Sequence, residues 1–366
     1  MVALAAIQDA LGSVIHPDFD AAMAALGLLS DVEMADARHV RMRIALSAPS
    51  EPLQRAITEA VEAALAPLGK LSADITWSLE VPMRAQSADD PAPGVRNVIL
   101  VMSGKGGVGK STCAVNLAMA LSRAGAKVGL LDADIYGPSV PTMFGVSGHP
   151  RATENKKIEP LSRFGIKLMS IGFMIESDRD AIIWRGPMMQ GALMQFLGDV
   201  DWGELDYLVL DLPPGTGDVA LSLGQRIKST GAIMVTTPQE IALQDVYKAV
   251  SMCHKLHIPL LGVVENMSYF IDSAGVRHEL FGAGGGQKIA EFAETTLLGQ
   301  IPMEPEVRTC GDDGTPITQV NPSSPASKVM AAIADRVTRN IALEAFKRAG
   351  EKAPDTKGQR RLKIIR

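Results

Sequence analysis

The chain is poor in aromatic residues and in cysteine. Phe, Trp and Tyr make up 4% of its 366 residues, so Ala, Val, Leu, Ile and Met must build the core. Its three cysteines, Cys113, Cys253 and Cys310, lie far apart, and no C-x-x-C occurs anywhere. That excludes a disulfide framework of the secreted kind and any metal site made from one local cysteine pair. No apolar run is long enough to span a bilayer. Met1 to Leu11 lacks the charged-then-apolar layout of a signal peptide. A cytoplasmic location with no membrane partner is therefore expected. Positive charge is not in excess either. The formal net charge is −5, which argues against a general nucleic-acid binder, and no specific nucleic-acid partner is expected.

What is present is a glycine-rich loop. Gly104 to Ser111 read G-K-G-G-V-G-K-S directly after the apolar run Val98 to Met102, and a helical, Ala- and Leu-rich stretch follows to Arg123. Gly104, Gly106, Gly107 and Gly109 let successive backbone N–H groups, with those of Val108, Lys110, Ser111 and Thr112, turn inward around phosphate oxygens. Lys110 can neutralise the terminal phosphates, and the Ser111 hydroxyl can ligate Mg²⁺. The helix N-terminus adds a favourable dipole. Lys105 is the less obvious element. It cannot easily fold back onto its own loop's phosphates. One reading has it reach a partner subunit's nucleotide, and the other leaves it solvated on an exposed loop.

Periodicity divides the chain. Residues 1–81 read as a small α+β unit, with helices or turns at Ala5–Leu11 and Asp20–Leu26, a strand at Val40–Leu46, a helix at Glu51–Ala66 and a strand at Asp74–Val81. Residues 82–96, with three prolines, read as a linker. From 97 to 348, apolar strands alternate with helices. The strands are expected at Val98–Met102, Lys127–Asp132, Ile166–Ile171, Tyr207–Asp211, Ala232–Thr236, Leu260–Glu265 and Leu297–Leu298. Helices are expected at Lys110–Ala124, Met188–Leu197, Val219–Ile227, Ile241–Leu256, Gln287–Ala293 and Ala326–Lys347. This predicts an α/β domain with a mostly parallel sheet covered by helices on both faces, and a ligand at the carboxyl ends of the strands. The basic tail, 349–366, reads as disordered.

Three further segments fall at strand ends. Asp134, in Asp132-Ala133-Asp134, is placed to orient an attacking water, or else serves as a turn aspartate. Asp211 ends an apolar strand where a residue holding the Mg²⁺ shell is expected. The loop after it, Leu212 to Asp218, has glycines that would let it order around a γ-phosphate. Asn266 ends another strand, and its amide suits an adenine edge. The expected catalytic set is Lys105, Lys110 and Asp134, with ATP and Mg²⁺ as ligands. Hydrolysis is favoured because phosphoryl transfer to water needs positioning and charge neutralisation, and no second substrate site can be read.

The loop with its extra lysine resembles the MinD/ParA-like group of dimeric P-loop NTPases. Leu131 to Ser139, Trp184-Arg185-Gly186-Pro187, Asp211 to Asp218, Thr236-Thr237-Pro238-Gln239 and Glu265 to Tyr269 narrow this. From about Asn97 to Ala345 the chain looks like the Mrp/ApbC iron–sulfur cluster carrier ATPases, and its first unit is similar to the small domain often fused ahead of them. The resemblance implies a homodimer that hydrolyses ATP, deals with iron–sulfur assembly proteins and carries a cluster to apoproteins.

The pattern departs at one place. After Asn-Met-Ser-Tyr the family normally has a C-x-x-C for the cluster, whereas this chain reads Phe270-Ile271-Asp272-Ser273-Ala274-Gly275-Val276-Arg277-His278. The first unit has Ala48-Pro49-Ser50 where a cysteine usually precedes the proline. Thiolates are the standard cluster ligands. Cys113 reads as a buried apolar residue. Cys253 with His254 and His257 offers a metal reading, or a helix end with dipole-stabilising histidines. Cys310, in a Gly/Asp-rich loop, would give a bridging ligand if two copies met at a dimer axis, or is a lone thiol. Phe281 to Gly286 reads as a second anion nest or as a turn before a helix. The alternative to cluster carriage is a nucleotide-switched partner-binding ATPase that has lost it.

Overall fold

The computed structural model describes residues 2–134, 137–174, 186–216 and 227–351, with only the backbone path for 186–190 and 351. Ile135-Tyr136, Trp184-Arg185, Gly217-Asp218, all but the last residue of the helix expected at Val219–Ile227, and the tail from 352 lie outside these residues. The chain divides into two compact units. One is Met1–Pro82 with the chain from Thr338, and the other is Met83–Val337.

In the first unit, strands β1 (Leu29–Met34), β2 (His39–Leu46) and β3 (Ser72–Leu79) form a sheet. The β1–β2 pair is antiparallel and the β2–β3 pair parallel. Alternation along β2 buries Val40, Met42 and Ile44. The helix Glu51–Leu65 buries Leu53, Ile57, Val61 and Leu65 in the same core. Its start is fixed by Ser50, whose hydroxyl accepts from Leu53 N at 3.0 Å. The 20–26 stretch is a set of turns. β1 is half-exposed and so shows little apolar periodicity. The helix Pro325–Glu351 groups with this unit from Thr338 onward. Phe346 stacks on Phe19 at 4.8 Å, Phe19 stacks on His16 at 4.1 Å, and Arg339 pairs with Asp18.

The second unit is built on β4 (Val95–Ser103), β5 (Val128–Asp132), a small hairpin of β6 (Arg151–Ala152) and β7 (Ile158–Glu159), β8 (Leu161–Arg163), β9 (Ile166–Ser170), β10 (Leu205–Asp211), β11 (Gly231–Thr236), β12 (Leu260–Glu265), a second hairpin of β13 (Phe270–Ile271) and β14 (Arg277–His278), and β15 (Leu297–Gln300). Eight strands form one sheet in the order β15-β12-β11-β4-β10-β5-β9-β8, parallel except for β8 against β9. The central strands are buried along nearly their whole length, which is why they read as continuous apolar runs. Each expected strand is present. The expected helices within the described residues are present too, including Lys110–Arg123, Gly186–Gly198, Glu240–Lys255 and Gly285–Phe292. Parallel registry puts Asp211 of β10 beside Asp132 of β5, and Asp132 beside Ser170 of β9. Carboxylates thus converge at the strands' carboxyl ends.

Residues 84–94 are anchored to this second unit. Arg84 forms two hydrogen bonds with Asp90, at 2.5 and 2.7 Å, and donates to the Lys228 and Ala92 carbonyls. Burial raises the Asp90 carboxyl, but the Arg84 guanidinium outweighs it and holds the group below the usual carboxylate range.

Candidate functional site

The glycine loop joins β4 to the helix Lys110–Arg123. Gly109 caps that helix with φ 79°, and Gly107 has φ 82°, conformations in which a Cβ is strained. A Cβ on Gly104 would overlap the backbone of Asp245 and Val246, so the loop packs directly on the helix Glu240–Lys255. Around Gly106 and Gly107 the space is open. The loop is thus fastened at its base and free where a phosphate would sit. Val108 is buried, and its carbonyl accepts from Asn266 Nδ2 at 2.9 Å.

Lys110 is 6% exposed, and its ammonium lies among carboxylates. Its Nζ is 2.5 Å from Asp211 Oδ1, 3.6 Å from Asp134 Oδ2 and 3.3 Å from Ser111 Oγ. Burial pushes the Asp211 carboxyl upward, opposed by Lys110 and by the Ser111 hydroxyl. Asp211 Oδ2 is buried without a hydrogen-bond partner. An orphaned carboxylate oxygen near a serine hydroxyl is a hard-oxygen donor set, which fits Mg²⁺. Lys105 is half-buried and forms no ion pair among the described residues, in contrast to Lys110. Thr112 is half-buried in the first turn of the helix.

Asp132 is a residue whose weight the strand pattern understates. It is fully buried and accepts from the backbone N–H groups of Asp134, Ser139 and Val140, at 3.1, 3.1 and 3.2 Å, and from Ser170 Oγ at 3.1 Å. It therefore fixes the segment that carries Asp134. Burial, then the nearby Asp211 charge, pushes its carboxyl up to about 7.

All three thiols are buried within the chain. Cys310 lies in a helix, Pro305–Asp312, not in a loop, and is 7% exposed. Pro305 starts that helix, and the Arg308–Asp312 pair four residues apart supports it. Burial pushes the Cys310 thiol up, as do the Glu306 and Asp313 charges. Cys253 faces inward, with its sulfur 3.7 Å from Met102 Sδ, and burial pushes its thiol up to about 12. His254 and His257 are exposed, away from it. Cys113 is buried, and its thiol is raised by burial and then by Asp211. No group of three or more His, Cys, Asp or Glu side chains suited to a metal occurs among the described residues.

Where the resemblance calls for two cysteines, β13 and β14 form a closed hairpin. Asp272 accepts from Ala274 N and Val276 N at 2.9 Å each, and pairs with His278 Nε2 at 2.7 Å. The His278 hydrogen bond leads in holding the Asp272 carboxyl below its usual range. Gly282 to Gly284 lead into a helix that begins at Gly285, two residues earlier than expected.

Comparison with known proteins places this geometry. A family model described as NUBPL iron-transfer P-loop NTPase matches residues 94–338, and one described as iron-sulfur cluster assembly protein matches residues 4–74. The chain belongs to the NUBPL iron-transfer P-loop NTPase family. Over 354 residues it is 41% identical to an iron-sulfur cluster carrier protein of Synechocystis, covering 94% of this chain and all of that one. A carrier protein of Deinococcus radiodurans is 43% identical over 354 residues, covering 95% of this chain and 99% of the relative. Among solved structures, a nucleotide-binding protein of Archaeoglobus fulgidus in complex with ADP is similar, with 41% identity and a TM-score of 0.54 over 60% of this chain and 87% of that one. The P-loop NTPase fold with a small domain ahead of it follows from these matches. No helix among the described residues is long and apolar enough to cross a membrane.

Proposed function

We propose that the chain is a Mg²⁺-dependent ATPase that works as a homodimer in iron–sulfur cluster carriage. The observation that carries the nucleotide half is Lys110, buried between Asp211 and Asp134 at the base of an open glycine loop. Terminal phosphates entering the loop would compete with those carboxylates for the ammonium. Asp134, relieved of Lys110, would orient the attacking water, while Asp132 holds its backbone in place. Ser111 and Asp211 would hold Mg²⁺, which when bound neutralises charge on the phosphates. Lys105, which is without an ion pair among the described residues, is assigned to the partner subunit's nucleotide. One N–H of the Asn266 amide goes to the Val108 carbonyl, which leaves the second N–H and Oδ1 for the donors and acceptors of the adenine edge.

The cluster is cargo here, and carriage rests on the names of the relatives. A second reading, a nucleotide-switched partner-binding ATPase without a cluster, is favoured by the three buried thiols and the self-paired hairpin. Anaerobic reconstitution with iron and sulfide, followed by iron counting and visible absorbance, separates the two. Carriage predicts stoichiometric cluster on the dimer. A dimer that hydrolyses ATP and takes up no iron contradicts carriage and leaves the second reading.

A further inference from the structure

Glu265 is a buried carboxylate that the nucleotide chemistry does not use. It ends β12, is fully buried and accepts three hydrogen bonds. Its donors are Ser268 Oγ at 2.5 Å, Gly286 N at 2.6 Å and Gln300 Nε2 at 2.8 Å.

Two of those donors are the two ends of one surface segment. Ser268 stands where the chain leaves β12, and Gly286 stands in the first turn of the helix Gly285–Phe292. Between them lies 269–285, which includes the β13–β14 hairpin. One side chain therefore closes the segment at its base. The fit is close, since a Cβ on Gly286 would lie 2.7 Å from Glu265 Cβ. The next residue, Asn266, reaches the nucleotide loop through Val108, and a Cβ on Gly109 would overlap its amide. The turn between is fixed. Met267 has φ 53°, Ser268 N donates to Ile301 O at 2.9 Å, and Ile301 N donates to Glu265 O at 2.8 Å.

We infer that Glu265 is a positioning residue that makes the 269–285 segment respond to occupancy of the nucleotide loop. The inference rests on the nucleotide reading given above. Phosphate binding draws the loop's N–H groups inward and shifts the Val108 carbonyl. Asn266 follows it, and the rigid turn passes the shift to the Glu265 carboxylate and so to both ends of the segment. Without that carboxylate the buried Gly286 N–H and Ser268 hydroxyl lose their acceptor, and the segment is uncoupled.

Amide hydrogen exchange on the full chain, with and without saturating Mg-ADP, tests this, with ADP binding measured in parallel by calorimetry. In the unaltered protein, amides of 270–284 change their exchange rate severalfold on ADP binding. Glu265→Gln puts an amide nitrogen where a donor needs an acceptor, and is expected to remove at least half of that change while ADP still binds. Ser268→Ala removes one donor and decides the matter if Glu265→Gln does not fold. A purely structural role would alter exchange equally with and without ADP, so the ADP-dependent difference is the readout. ADP binding with no change in 270–284, or a full response in the variants, overturns the inference and leaves the nucleotide reading intact. Absence of ADP binding to the unaltered protein overturns both.

Discussion

Asp211 and Asp132 end adjacent parallel strands in register, and Lys110 pairs with Asp211 while backbone N–H groups hold Asp132. The two carboxylates thus divide the work. One meets the cation of the loop, and the other orders the segment that bears Asp134. Asp134→Asn keeps the Lys110–Asp211 pair, so nucleotide affinity should stay within about tenfold while turnover falls by roughly 100-fold. Steady-state hydrolysis alongside ADP calorimetry checks this. Unchanged turnover would remove Asp134 from the chemistry.

Lys105→Ala should spare nucleotide binding and lower hydrolysis by about 1,000-fold, the scale of a charge supplied in trans. Mixing Lys105→Ala chains with Asp134→Asn chains should restore part of the turnover, because one site of the mixed dimer is then intact. A Lys105→Ala protein as active as the original contradicts the assignment.

Arg84 and Asp90 are 2% and 3% exposed. Removing one partner strands the other charge in the interior, so Arg84→Ala should cost about 3–5 kcal/mol in denaturant unfolding. A loss under about 1 kcal/mol would show that residues 84–94 are not anchored in this way.

His16 gives the first unit a pH dependence. Its Nδ1 accepts from Asp18 N at 3.1 Å, and its Nε2 is buried without a partner. Burial lowers its pKa to about 4, with Asp18 opposing and Arg339 assisting. Between about 4 and the ordinary 6.5, the unfolded chain binds a proton that the folded chain does not. Stability should therefore fall as pH drops through that window, by on the order of 2–3 kcal/mol. Denaturant titrations at several pH values measure the slope, and His16→Asn should flatten it. An equal slope in the variant would assign the effect to other groups.

The sheet and the phosphate loop are legible in the sequence because burial on both faces leaves continuous apolar runs, and because Gly104 to Ser111 sits between a strand and a helix. β8 is not legible, being a short, half-exposed antiparallel edge. The helix around Cys310 is masked by Gly311, Asp312 and Asp313, which resemble a loop until Pro305 and the Arg308–Asp312 pair are set beside them. Asp132 owes its role to N–H groups up to eight residues away, and Glu265 to donors 21 and 35 residues on. Such partners carry no local spacing that a sequence pattern can reveal.

The central claim is that Lys110 and the glycine loop bind nucleotide. Calorimetric titration of Mg-ADP into the original chain and into Lys110→Ala tests it most directly. The account predicts one ADP per chain, with affinity lower by at least about 100-fold in the variant, roughly 2.7 kcal/mol. Equal affinity in the two proteins, or no binding to the original, would contradict it.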